Sequence, residues 1–244
     1  FPDLLAQARL CRELGVLSAL DNTWGAGLAF NPFNLDGRGL AVDISVQALT
    51  KYPSGGGDVL MGSVVTRDAA LHRKLKLCHM RLGLGVGGND AEAVLRALPT
   101  LPLRYAAADR SARRLAEWAA RQAPFAQVLH PALPASPGHA HWQAVCGAAD
   151  AAGQGAAASL FSVVIDEKFS REQVDAFCDA LRLFRIGYSW GGPFSLVMPY
   201  ELQTMRHDWP AHLARGTLVR FAIGLEDTAD LQGDLQHAMQ QTLA

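Results

Sequence analysis

Apolar residues recur at helical spacing at Leu4, Leu5, Ala8, Leu10, Cys11 and Leu14, and Gly15 follows as a stop, which predicts a helix over residues 2–14. An unbroken apolar run, Val16 to Leu20, then ends at Asp21-Asn22-Thr23-Trp24, with the length and punctuation of a buried strand. Ala41 to Thr50 repeats this pattern, ending at Thr50-Lys51 and a glycine-rich turn, Ser54-Gly55-Gly56-Gly57-Asp58, and Val59 to Thr66 supplies a third strand. Strands with polar tips predict a mostly parallel, covered α/β sheet whose ligand site lies at the carboxyl ends of its strands. Residues 68–80 form a basic amphipathic helix, glycines at 83–88 interrupt it, and Asn89 or Asp90 is placed to cap a helical stretch running with breaks to about Gln122. Residues 130–158, with Pro131, Pro134 and Pro137, read as a surface connection. Strands at Leu160–Ile165, Arg185–Tyr188 and Leu218–Ile223, with helices at Ser170–Leu183 and from Asp227, predict a compact α+β module.

At 244 residues the chain is one large domain or two smaller ones. Its 22 Lys and Arg against 23 Asp and Glu leave a net charge of −1, which argues against nucleic acid or an anionic membrane as partner, since either asks for a concentrated basic face. Half the residues are hydrophobic and 18% are charged, so a packed core is expected rather than disorder. No apolar run approaches the ~18 residues of a membrane span. Cys11, Cys78, Cys146 and Cys178 are widely spaced, the expectation for a reduced, cytoplasmic protein without a zinc or redox motif. The helical pattern opening directly at Phe1 reads as the interior of a longer frame.

Lys51 is the leading candidate for chemistry, because burial at a strand end favours a neutral, nucleophilic amine able to form a Schiff base. Pyridoxal 5'-phosphate needs such a lysine, a carboxylate facing its pyridine nitrogen, and donors for its phosphate, and Lys51, Asp21 and Thr50 are of those types. Gly55 to Gly57 allow close approach of backbone to a ligand. Competing patterns are weaker. Gly187-Tyr188-Ser189-Trp190-Gly191 fits a hydrolase nucleophile elbow, with Asp208 and His212 or His237 downstream, but Gly192-Pro193 follows where a helix should begin. Gly83 to Gly88 fits a dinucleotide-binding spacing, but after a helical segment. His139 and His141 lack a third metal ligand, and Arg220 taken alone could bridge to a carboxylate such as Glu226.

Several motifs together carry a resemblance: Leu20-Asp21-Asn22-Thr23-Trp24; Gln47-Ala48-Leu49-Thr50-Lys51-Tyr52 with Gly55 and Asp58; His130-Pro131-Ala132-Leu133-Pro134; Tyr188-Ser189-Trp190-Gly191-Gly192; and Arg220 with Gly224-Leu225-Glu226-Asp227. In this order they resemble the Cys/Met-metabolism pyridoxal-phosphate enzymes, and the Tyr-Ser-Trp-Gly-Gly version is most similar to the bacterial cystathionine β-lyase branch. The resemblance implies fold type I, the aspartate-aminotransferase-like α/β fold, with residues 1–97 as the closing part of the large cofactor domain and 98–244 as a small α+β C-terminal domain. It implies that Lys51 holds pyridoxal phosphate and takes the Cα proton, Asp21 pairs with the pyridinium, Thr50 binds the phosphate, and Ser189, Trp190 and Arg220 line the pocket of a small sulfur-containing amino acid. The implied reaction is β-elimination of cystathionine to homocysteine, pyruvate and ammonia in methionine biosynthesis, by a homo-oligomer, dimer or tetramer, with no metal.

Departures bear on activity. Gly56 and Gly57 stand where the family has His-Ser, Ala48 where many members have serine, and Phe194 where they have glutamate; the segment Asn34 to Gly39 is slightly longer. The phosphate-binding glycine loop and the stacking tyrosine of the family's opening section have no counterpart. A γ-lyase or γ-synthase is therefore the alternative within this chemistry, and a non-catalytic binding or oligomerisation module the alternative outside it.

Overall fold

The computed structural model describes residues 1–147 and 154–243. The chain divides into two compact units, Phe1–Arg104 with Ala140–Ala156, and Tyr105–His139 with Ala157–Ala244.

The first unit opens with helix α1, Leu4–Glu13, capped by the Asp3 carboxylate, which accepts from the Ala6 amide. Three strands follow, β1 (Ala19–Asp21), β2 (Ile44–Ala48) and β3 (Gly62–Val65), in the order β1-β2-β3. β1 pairs with β2 in parallel and β3 with β2 antiparallel, so the expectation of a mostly parallel sheet is corrected. Nor is the sheet covered as expected. Two of its three strands are edges, and Val16, Leu17, Leu60, Val64 and Val65 in and around them are exposed. Asp43 sets the parallel register, its carboxylate accepting from both the Ser18 amide and hydroxyl at 2.7 and 2.9 Å. A small core of Ala8, Leu35, Leu40 and Val42 joins α1 to the loop between β1 and β2.

Helix α2, Ala69–Arg81, buries none of its side chains. Helix α3, Gly88–Ala97, is preceded by Gly87 with no side-chain cap. Asn89 and Asp90 lie inside its first turn instead of capping it, where Asp90 complements the helix dipole. A 3₁₀ turn at Leu98–Thr100 leads to α4, Leu101–Ala119.

In the second unit β4 (Phe125–Leu129), β5 (Leu160–Asp166), β6 (Arg185–Ile186), β7 (Leu196–Tyr200) and β8 (Gly216–Ala222) form a sheet in the order β4-β5-β8-β7-β6. The pairing is antiparallel except between β6 and β7. Helices α6 (Arg171–Ala180) and α7 (Thr228–Thr242) pack on one face, α6 opening with a full capping box between Ser170 and Gln173. Period-two alternation sends Phe161, Val163 and Ile165 of β5, and Val219 and Phe221 of β8, into the core with Phe177, Leu231 and Leu235.

The surface connection expected over 130–158 is corrected: α5, His139–Cys146, lies within it, and His130, Trp142, Cys146, Ala157 and Ala158 are buried. Its portion 148–153 lies outside the described residues. His130 is wholly buried; its Nδ1 accepts from the Ala132 amide at 3.3 Å, so the ring proton sits on Nε2, which has no partner among the described residues. Burial, helped by the Arg113 charge, lowers the His130 pKa from 6.5 to about 3. The unfolded chain then binds a proton that the folded one refuses. The resulting stability is complete above pH 6.5 and is lost as the pH falls toward 3, with a slope approaching about 1.4 kcal/mol per pH unit. Denaturant unfolding of His130→Gln between pH 7 and 4 should show a correspondingly flatter pH dependence than the unsubstituted protein.

Candidate functional site

Because β1 and β2 are parallel with Asp21 opposite Val46, their carboxyl ends lie side by side. Asp21 is the last residue of β1, exposed, while Thr50 and the half-buried Lys51 lie in the turn just beyond β2. The Asp21 carboxylate is fixed from one side: Oδ1 accepts from the Thr23 amide at 2.9 Å and the Thr23 hydroxyl at 2.5 Å. The Thr23 hydroxyl in turn accepts from the Ala48 amide at 2.8 Å. One threonine therefore ties the carboxylate to the last residue of β2, and a threonine two residues beyond an aspartate is a local signal for such a turn.

The lysine-bearing turn is held by two residues the sequence reading did not single out. The buried Ser54 hydroxyl lies 2.9 Å from the Thr50 carbonyl and 3.2 Å from that of Lys51, and accepts from the Gly57 amide at 3.0 Å. Arg104 spends its three nitrogens on three acceptors: Nη1 on the Tyr52 carbonyl at 2.7 Å, Nη2 on the Ala97 carbonyl at 3.0 Å and Nε on the Thr100 hydroxyl at 3.1 Å. Burial lowers the Arg104 pKa from the usual guanidinium value. Gly55, at φ +78°, faces this guanidinium so closely that a Cβ would lie 3.2 Å from its central carbon. This glycine serves the turn and the arginine, which accounts for it without a ligand. No local pattern could have announced Arg104, which is 53 positions from Lys51 in the chain. The Thr50 hydroxyl lies 3.3 Å from the Met61 amide and 3.4 Å from its carbonyl, joining the turn to the segment entering β3.

In the second unit, Arg220 emerges on the opposite face of β8 from the core because Val219 and Phe221 point inward. Its Nη2 faces the carbonyls of Tyr188, Ser189 and Gly187 at 2.7, 3.3 and 3.4 Å, and its Nε is buried with no partner among the described residues. Ser189 is exposed and Trp190 half-buried on this same loop. The alternative partner Glu226 is taken: its carboxylate accepts from the Ser195 amide at 2.7 Å and hydroxyl at 2.8 Å, while Ser195 Oγ accepts from the Gly224 amide at 3.0 Å. Gly224 has no room for a side chain, since a Cβ would lie 2.3 Å from the Pro193 carbonyl oxygen.

The competing motifs lack their structural context. Residues 187–195 leave β6 as a loop and lead into a strand, not a helix, so no nucleophile elbow forms there. The glycines at 83–88 follow α2, not a strand. His139 Nδ1 lies 2.8 Å from the Pro131 carbonyl and His141 Nδ1 3.5 Å from the Asp3 carboxylate. Among the described residues no three metal-ligating side chains cluster, and no helix is long and apolar enough to cross a membrane. The buried Cys178 thiol is pushed up to about 12 by desolvation, reinforced by Asp175 and Asp179, so it is not a nucleophile.

A carboxylate and a lysine at adjacent strand tips, followed by an antiparallel α+β unit, belong to the fold type I class of pyridoxal-phosphate-dependent proteins. The chain is a member of the Cys/Met metabolism PLP-dependent enzyme family, whose sequence profile matches residues 1–240. It is 36% identical to the cystathionine β-lyase of Bordetella avium over 98% of this chain and 57% of that protein. Against the cystathionine β-lyase of Escherichia coli K12 the identity is 35%, over 88% of this chain and 52% of the relative. A solved structure of a methionine γ-lyase from Micromonospora echinospora superposes with a TM-score of 0.82 at 30% identity, covering 97% of this chain and 59% of that one. The chain thus spans somewhat over half the length of the relatives it matches. The donor set at the strand tips fits the family's cofactor: an amine for its aldehyde, a carboxylate with Oδ1 already held, and a hydroxyl for its phosphate.

Proposed function

We propose that the protein is a pyridoxal-phosphate-dependent carbon–sulfur lyase that cleaves cystathionine by β-elimination to homocysteine, pyruvate and ammonia, working in the cytoplasm as a homo-oligomer. The observation that carries this reading is the Asp21–Thr23–Ala48 chain of hydrogen bonds beside the Lys51 turn. It holds a carboxylate rigid beside the lysine turn, which suits pairing with a pyridinium nitrogen, and the named relatives are cystathionine β-lyases. When bound, the cofactor supplies an electron sink for charge developing at the substrate's Cα, so that sulfur can leave from Cβ as thiolate. Lys51 would hold the cofactor through its Nζ and, as a free neutral amine, would take the Cα proton. Asp21, fixed by Thr23, keeps the ring nitrogen protonated. Thr50 would donate its hydroxyl to the phosphate by turning its proton away from the Met61 carbonyl, to which it makes only a long 3.4 Å bond. Arg220 binds the substrate carboxylate with the donors its loop carbonyls leave open, and Ser189 and Trp190 line the same pocket.

The test uses the intact protein with pyridoxal phosphate and cystathionine. Pyruvate formation, with borohydride fixing the cofactor to Lys51, is the expected result. Formation of 2-oxobutyrate instead would move the reading to a γ-lyase, the activity named for the Micromonospora structure. Neither turnover nor label on Lys51 overturns the enzyme reading in favour of a binding module.

A further inference from the structure

Tyr200 closes β7 and belongs to none of the motifs discussed so far. In the β7–β8 register Met198 lies directly opposite Arg220, and Tyr200, two residues along, shares its face as a diagonal neighbour. The result is a stack: the Arg220 guanidinium carbon sits 5.5 Å from the centroid of the Tyr200 ring, within cation–π range. The same ring also meets that of Tyr188, centroid to centroid at 6.3 Å in an edge arrangement. Tyr188 is also the residue whose carbonyl takes the shortest Arg220 hydrogen bond, at 2.7 Å. Tyr200 therefore touches both the guanidinium and the loop whose carbonyls orient it, while its hydroxyl makes no hydrogen bond among the described residues.

We propose that Tyr200 is a positioning residue for carboxylate recognition: its ring fixes the plane of the Arg220 guanidinium against the 187–189 carbonyls and so presents the terminal donors those carbonyls leave open to an α-carboxylate. This rests on Arg220 being the carboxylate anchor. Without the ring, the flexible arginine retains its Nη2 hydrogen bonds but is free to swing about them, so recognition of the carboxylate weakens while proton transfer at Lys51 does not change. The ring face is what matters, and phenylalanine has one.

The experiment measures binding of glycine and, separately, of methylamine, the same amine without a carboxylate, to the intact protein loaded with pyridoxal phosphate, together with kcat and KM for cystathionine. In Tyr200→Leu the Kd for glycine and the KM are expected to rise about three- to thirtyfold, with kcat within about twofold and methylamine binding unchanged. Tyr200→Phe restores the unsubstituted values, and Tyr200→Met replaces the leucine variant if that one does not fold. Arg220→Lys separates the two levels of the argument. If it weakens glycine but Tyr200→Leu does not, the anchor stands and the role of Tyr200 is overturned. If Arg220→Lys leaves glycine binding unchanged, the anchor itself is wrong and the role of Tyr200 falls with it. Equal weakening of glycine and methylamine in Tyr200→Leu also overturns the proposal, because the loss would then not involve the carboxylate.

Discussion

Lys51→Ala is expected to lower kcat/KM for cystathionine by about 10³-fold or more, which is about 4 kcal/mol of barrier, because one side chain supplies both the covalent hold on the cofactor and the base for the Cα proton. Its fold should survive. The contacts that shape the turn are made by main-chain atoms of Thr50, Lys51 and Tyr52 with Ser54 and Arg104, and alanine retains all of them. Thermal unfolding of the variant is therefore expected near that of the unsubstituted protein. Lys51→Arg distinguishes chemistry from charge: a guanidinium remains cationic but cannot give up a proton to act as amine nucleophile or base. Full activity in Lys51→Arg would mean that the residue acts only electrostatically, and the proposed mechanism would fail.

Phe221→Ala is the substitution with the largest expected cost in stability, about 3–5 kcal/mol, because it empties the centre of the second unit's core. The ring is fully buried, stacks on Phe161 at 5.0 Å and meets Phe184 at 5.4 Å and Phe177 at 6.5 Å edge-on. Urea unfolding should show the midpoint falling with little change in slope. Phe194→Ala serves as the comparison, since its ring is 64% exposed and its loss should change stability by no more than about 0.5 kcal/mol. The effect reaches the site as well, because Phe221 and Arg220 are neighbours on one strand: the packing that draws one inward is what turns the other outward.

Both strand tips of the first unit were legible from local pattern. An apolar run ended by Asp21, and another ended by Thr50-Lys51, need only a period and a polar stop to be recognised, although the strands proved shorter than the runs. Two strands escaped. β7 contains Pro199, which reads as a breaker, yet β6 pairs only with Leu196 and Val197, so the missing N–H of Pro199 faces no ladder. β4 lies just beyond Pro124 and Gln122 and is recognisable only through its pairing with β5. The opposite error occurred over residues 130–158, where proline and small residues suggested solvent but tertiary packing buries His130, Trp142 and Cys146.

By itself the sequence determined the order of the candidate residues Asp21, Thr50 and Lys51 and their place at or just past the ends of two apolar runs, because these depend on residue type and on spacings of a few positions, while Ser189, Trp190 and Arg220 were proposed through the resemblance of their motifs. Only the tertiary structure decided what orients them. Ser54 closes the lysine turn, Arg104 reaches it from 53 positions away, Ser195 occupies Glu226, and Tyr200 lies beneath Arg220. Most of these supports join residues far apart in the chain and depend on strand register and side-chain reach, which no local window of sequence contains.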